Sequence, residues 1–147
     1  MKKLFLAATL LAALATSAFA DGKKSNEKLL GDLKTVLKSV NESSWITTEA
    51  YKKTSFSMNG KNINAYLNAE TGDLVGFSIP IEMSALPEGT IESLDKKYQG
   101  WQAINPIMFI DGAGNASYFI QVNKGKNSLA LSVSPKGKLS IYNRIPH

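Results

Sequence analysis

Cysteine is absent from this chain of 147 residues. That excludes disulfides, thiolate metal sites, thiol nucleophiles and a cysteine-linked lipid anchor, and it leaves packing alone to hold the fold. Histidine is almost absent as well. The single one, His147, is the last residue, so neither a Ser-His-Asp triad nor a histidine-based metal site is expected. Carboxylates occur as pairs. Glu70 and Asp73 stand at a turn and Glu88 and Glu92 at helical spacing, where a solvated charge is the ordinary role. Asp111 and Asn115 flank Gly112-Ala113-Gly114, with fewer carboxylate oxygens than calcium requires. Those glycines lie between two strands rather than between a strand and a helix, which argues against a phosphate loop. The chain is expected to be a non-enzyme with no cofactor and no metal.

Long apolar runs are missing except at the start. Lys2 and Lys3 precede an apolar stretch over residues 4–15, and Ala18-Phe19-Ala20 forms a small-x-small site before Asp21. These are the three parts of a bacterial secretory signal, and the stretch is short of the ~20 residues that span a bilayer. Cleavage after Ala20 is expected. It leaves 127 residues, a single-domain length, and removes Lys2 and Lys3, so the net charge falls from +5 to +3. The lysines are scattered over turns and helix faces, which fits a solvated surface and blunted strand edges. Nucleic acid is not an expected partner, nor is stable membrane insertion after cleavage.

What the mature chain does have is pattern. After a polar leader with Asn26 as a candidate cap, Leu29, Leu30, Leu33, Val36, Leu37 and Val40 recur at helical spacing and predict a helix over residues 27–40. Trp45 follows, then a hairpin about Asn59-Gly60, the strongest short turn signal in the chain. That turn sets Phe56 opposite Ile63, Thr54 opposite Ala65 and Met58 opposite Lys61. After Thr71-Gly72-Asp73, a strand carrying Val75, Phe77 and Ile79 continues the buried face up to Pro80. A shorter helix is predicted with Pro87 in its first turn, Ile91, Leu94 and Tyr98 as its apolar stripe and Gly100 as its stop. Trp101 then opens four strands, over residues 101–111, 115–123, 127–133 and 138–145.

These segments read as an internal duplication, repeat 1 over about 26–81 and repeat 2 over about 84–147 within a domain of 21–147. The core positions Ile63, Ala65 and Leu67 match Leu129, Leu131 and Val133 at 66 residues' separation, whereas Gly60 and Gly125 are 65 apart. Turn chemistry reconciles the two. Asn-Gly places glycine second, as a type I′ turn prefers, and Gly125-Lys126 places it first, as type II′ prefers. The expected architecture is α+β: tandem helix-plus-antiparallel-meander repeats, with the helices packed on one face of the sheet.

Alternation then assigns the opposite face. It carries Tyr51, Lys53, Asn62, Asn64 and Tyr66 in the first repeat. In the second it carries Phe109, Phe119, Gln121, Ser128, Ala130, Ser132, Tyr142 and Arg144. Aromatic residues interleaved with small and polar ones resemble an interaction surface, and Tyr51, Tyr66, Phe109, Phe119, Tyr142 and Arg144 are its candidate residues. Ordinary cross-strand packing, or burial between the repeats, is the alternative.

Two stretches carry a resemblance. One is Leu86-Pro87, then Leu94-Asp95-Lys96-Lys97-Tyr98-Gln99-Gly100-Trp101, Tyr118-Phe119-Ile120-Gln121-Val122 and Gly137-Lys138-Leu139. The other is Trp45, Phe56, Asn59-Gly60-Lys61, Tyr66 and Gly72-Asp73-Leu74. Together they resemble the PepSY-like family, described as beta-lactamase-inhibitor-like proteins of the bacterial cell envelope, over nearly the whole mature chain. Gln99 stands where that family often has proline, and Ser134-Pro135-Lys136 replaces its usual acidic turn. The resemblance implies an exported α+β protein that binds another envelope or secreted protein, inhibiting or modulating an enzyme through a sheet face. It carries over no shared set of inhibitory residues. Binding of a small molecule or an anionic envelope polymer is the other expectation, and a structural envelope protein with no discrete site is the third. Secretion is directly testable: expression in a bacterium with a periplasm should yield a protein whose first residue is Asp21, and an intact mass that retains residues 1–20 would refute the signal.

Overall fold

The computed structural model describes residues 22–41 and 44–146; the expected signal segment and His147 lie outside them. The elements are α1 (Gly22–Leu37), β1 (Ile46–Thr47), β2 (Tyr51–Met58), β3 (Lys61–Asn68), β4 (Leu74–Pro80), α2 (Thr90–Lys97), β5 (Gln102–Asp111), β6 (Ala116–Lys124), β7 (Asn127–Val133) and β8 (Leu139–Arg144). A short 3-10 turn, Met83–Ala85, precedes α2. The strands form an eight-stranded sheet in chain order, so the fold is α+β. Close contacts divide the chain into two compact units. One runs up to Ile79 and includes Phe109–Ala116; the other comprises Pro80–Met108 and Ser117 onward.

In the first unit, α1 buries Leu29, Leu30 and Leu33, the i, i+1, i+4 stripe of an amphipathic helix. Burial of each leucine contributes about 1.5–3 kcal/mol, which matters because isolated helices of this length are marginal in water. Asn26, expected as a cap, lies inside the helix and is buried. The helix also stops before residue 40. Beyond Lys38 the bonds tighten to the i−3 carbonyl, Ser39 N–H to Val36 at 3.0 Å and Val40 N–H to Leu37 at 3.1 Å. The Ser39 hydroxyl also donates to the Val36 carbonyl at 2.6 Å, so a side chain competes with the helical ladder. The sheet side of this core is Ile63, Ala65, Phe77, Ile79 and Ile110, all fully buried, with Phe56 edge-on to Phe77 at 6.2 Å.

The β2–β3 register pairs Phe56 with Ile63, Thr54 with Ala65 and Met58 with Lys61, as the turn requires. Asn59 and Gly60 both have positive φ, 55° and 73°, the signature of type I′. In the second unit β6 and β7 pair Val122 with Leu129, Ile120 with Leu131 and Tyr118 with Val133. At that tip Gly125 has φ 58°, in keeping with glycine in the first turn position of type II′. The β6 and β7 rows, with Met108, Leu139 and Leu94, form the buried interior of this unit.

Three expectations from alternation and helical spacing are corrected. Val75 is 44% exposed rather than buried. Tyr66 pairs with Gly76 but Leu67 pairs with Leu74, so Val75 is the surplus residue of a β-bulge. Pro87 lies ahead of α2 rather than in its first turn; Gly89, at φ 86°, caps the helix and Thr90 begins it. This start rotates the buried positions to Thr90 and Leu94 and leaves Ile91 47% exposed. The two-residue edge strand β1, paired with Lys52 and Lys53, carries too little alternation to be read from sequence.

Asn105, inside β5 and immediately before Pro106, has φ 52°. This left-handed conformation is tolerated by asparagine and costs other L-residues roughly 1–2 kcal/mol. Its amide donates to Gln121 Oε1 at 3.3 Å. Asn105→Gly should therefore be close to neutral and Asn105→Val should lose about 1–2 kcal/mol; equal urea midpoints for the two variants would show that the backbone relaxes.

Candidate protein-binding face

The candidate residues fall into two groups, one in each unit. In the first, alternation along β2 and β3 brings Tyr51 and Tyr66 to the same side. Tyr51 pairs with Asn68, and Tyr66 pairs with Lys53 of β2 and Gly76 of β4. The Tyr51 and Tyr66 rings meet edge to face at 5.5 Å, and Tyr66 meets Phe109 at 6.3 Å. The Lys53 ammonium stands 6.0 Å from the Tyr66 ring centre, within cation–π range. Burial, and secondarily the neighbouring Tyr51, push the Tyr66 phenol pKa up, so it stays neutral and hydroxylated.

Gly76 is the residue on which this group rests, and it was not singled out from the sequence. A Cβ there would stand 2.5 Å from Phe109 Cζ and 2.8 Å from Cε1, and would strike the Ile110 carbonyl oxygen. The Phe109 ring thus occupies the place of a side chain at position 76, and Tyr66 packs beside it. The available signal was a lone glycine inside a strand, which marks a close approach.

In the second unit Phe119 pairs with Ser132, and its ring meets Tyr142 at 5.0 Å. Tyr142 is 68% exposed. It is the residue skipped by the β7–β8 register, where Leu131 pairs with Ile141 and Ala130 with Asn143. This bulge reverses the facing of the residues after it. Arg144 pairs with Leu129, so it stands in the row of a buried residue rather than in the row of Phe119 and Ser132, where uninterrupted alternation would have set it.

The Asp111 carboxylate serves its own turn. Its Oδ1 accepts the N–H groups of Ala113 and Asn115, each at 2.9 Å, and these bonds, Asn115 first, hold its pKa below the usual value. Among the described residues no group of three or more histidine, cysteine or acidic side chains is placed to hold a metal ion, and no helix is long and apolar enough to cross a membrane. The arrangement offers rings, hydroxyls and amides.

No family model matches the sequence, and no curated protein matches it at a significant level. Solved structures do match in fold. A BLIP-like protein from Bacteroides fragilis is 14% identical with a TM-score of 0.59, over 80% of this chain and 85% of its own. The chain has a BLIP-like fold. Two further structures share it. A Bacteroides eggerthii protein provisionally described as periplasmic is 15% identical with a TM-score of 0.60, over 82% of this chain and 86% of its own. A DUF2874 family protein from Bacteroides ovatus is 21% identical with a TM-score of 0.58, over 74% and 79%. At these identities the likeness concerns the BLIP-like fold alone.

The Gly76–Phe109 contact can be tested for its structural weight. Gly76→Val should displace the Phe109 ring and cost roughly 1–3 kcal/mol, the usual range for overpacking. A thermal melt equal to that of the parent would show that the ring is free to move aside.

Proposed function

We propose that this chain is an exported, non-catalytic binding protein of the bacterial envelope, a PepSY-like protein that engages and modulates another envelope or secreted protein through its aromatic sheet residues. The observation that carries this reading is the ring group Tyr51, Tyr66 and Phe109, ordered over Gly76. Pre-ordered aromatic side chains lose little entropy on contact and dominate the energetics of protein interfaces. Export is supported by the three-part start of the sequence, and a periplasmic setting by the description of the Bacteroides eggerthii neighbour. The duplication belongs to the same reading. It is supported by equivalent registers 66 residues apart, Phe56 with Ile63 and Val122 with Leu129. It is supported also by the exchange of an Asn-Gly tip for a Gly-first tip.

Tyr51 and Tyr142 are the exposed rings, so they can be changed without opening the core. Tyr51→Ser or Tyr142→Ser should weaken capture of a partner from a periplasmic extract at least tenfold, about 1.4 kcal/mol or more, and leave the melting temperature within a few degrees of the parent. A partner retained equally by both variants would sink the sheet-face reading.

A further inference from the structure

A second surface, in the unit that contains α2, has a different chemistry. A shallow depression of about 470 Å³ lies against the start of α2, with Met83, Pro87 and Ile91 as apolar lining and Glu88, Glu92 and Asp95 around them. Its volume falls in the range of small-ligand pockets. Ile91 is there because of how the helix begins. The left-handed Gly89 starts α2 at Thr90, and Thr90 and Leu94 take the buried positions one turn apart. Ile91, about 100° further round the helix, is left outside with nearly half its surface exposed.

Charge decides what would fit. Residues 80–95 hold four carboxylates, Glu82, Glu88, Glu92 and Asp95, and no lysine or arginine, within a chain whose net charge is +5. Of the neighbouring cations, Lys136 lies on the segment whose backbone packs against Gly89, and Lys96 pairs with Glu92 at 3.3 Å, with both side chains about three-quarters exposed. Such a pair is weak and exchangeable. An acidic rim around an apolar floor is complementary to a cation beside a hydrophobic side chain, and it repels acidic sequences.

We propose that this depression seats a short cationic peptide segment of a partner protein. One aliphatic or aromatic side chain would rest on Met83, Pro87 and Ile91, and flanking lysine or arginine would face Glu88, Glu92 and Asp95. This surface is independent of the aromatic rings above, so either assignment can fail without the other.

The test is a titration of the chain lacking residues 1–20 into a dye-labelled Lys-Leu-Phe-Leu-Lys peptide, read by fluorescence anisotropy. Two variants are compared with the parent: Ile91→Ser, and the triple change Glu88→Gln, Glu92→Gln, Asp95→Asn. None of the four side chains is buried, so melting temperatures should stay close to the parent's. Each variant should bind at least tenfold more weakly, and raising the salt from about 50 mM to about 0.5 M should weaken binding to the parent. Amide shifts on peptide addition should concentrate in residues 83–95. Equal affinity for a Glu-Leu-Phe-Leu-Glu peptide, parent-like binding by both variants, shift changes confined to other segments, or no binding to the parent at about 1 mM would each overturn the proposal.

Discussion

Cross-strand register is the constraint on which the rest of this structure depends, and two-residue hairpin tips set it. At the β2–β3 tip both turn residues adopt positive φ, and Met58 is brought directly opposite Lys61. At the β6–β7 tip Gly125 supplies the positive φ and Lys124 meets Asn127. A slip of one residue at either tip would move every core side chain to the other face. Here that would expose Ile63, Ala65 and Thr54, or Ile120, Val122 and Leu131, each about 2% exposed or less. No disulfide is available to hold a misregistered sheet together, so the buried rows themselves keep the pairing in place.

The same register is broken once on the third strand of each meander, and those breaks shape the surface. Leaving Val75 out of the pairing brings Tyr66 opposite Gly76, where Phe109 can lie over a position with no side chain. Leaving Tyr142 out presents that ring to solvent while it still meets Phe119. Bulges bend and twist a strand locally, and exposed edges that carry them are less ready to pair with another chain. The features that make the sheet's aromatic residues available are therefore departures from regular pairing, held in place by the regular pairing around them.

Much of the fold was legible in the sequence because its signals are local. The period of two in the strands, the period near 3.6 in α1 and the positive-φ residues at the tips act over a few neighbours each. They placed both hairpins, the buried rows and the position of α1 to within a turn or so. The candidate site was only partly legible. Tyr51, Tyr66 and Phe109 share one group of rings, and Phe119 and Tyr142 another, as alternation implied. Arg144 departs from its row because a bulge lies between it and Ser140, and alternation has no memory of an inserted residue. Gly76 is invisible to periodicity because it has no side chain to count.

Taken alone, the amino-acid sequence determined that packing without cysteine must hold this protein, where the two hairpins turn, and which rows of residues are apolar enough to be buried. Only the tertiary structure decided that Val75 and Ile91 are exposed, that Arg144 changes rows and that Phe109 fills the space over Gly76. The reason is physical. Turn chemistry and amphipathic spacing are properties of neighbours along the chain. Bulges and the approach of one ring to a distant backbone are set by strands and segments many residues away, and the phase of an eight-residue helix turns on the one left-handed residue at its start.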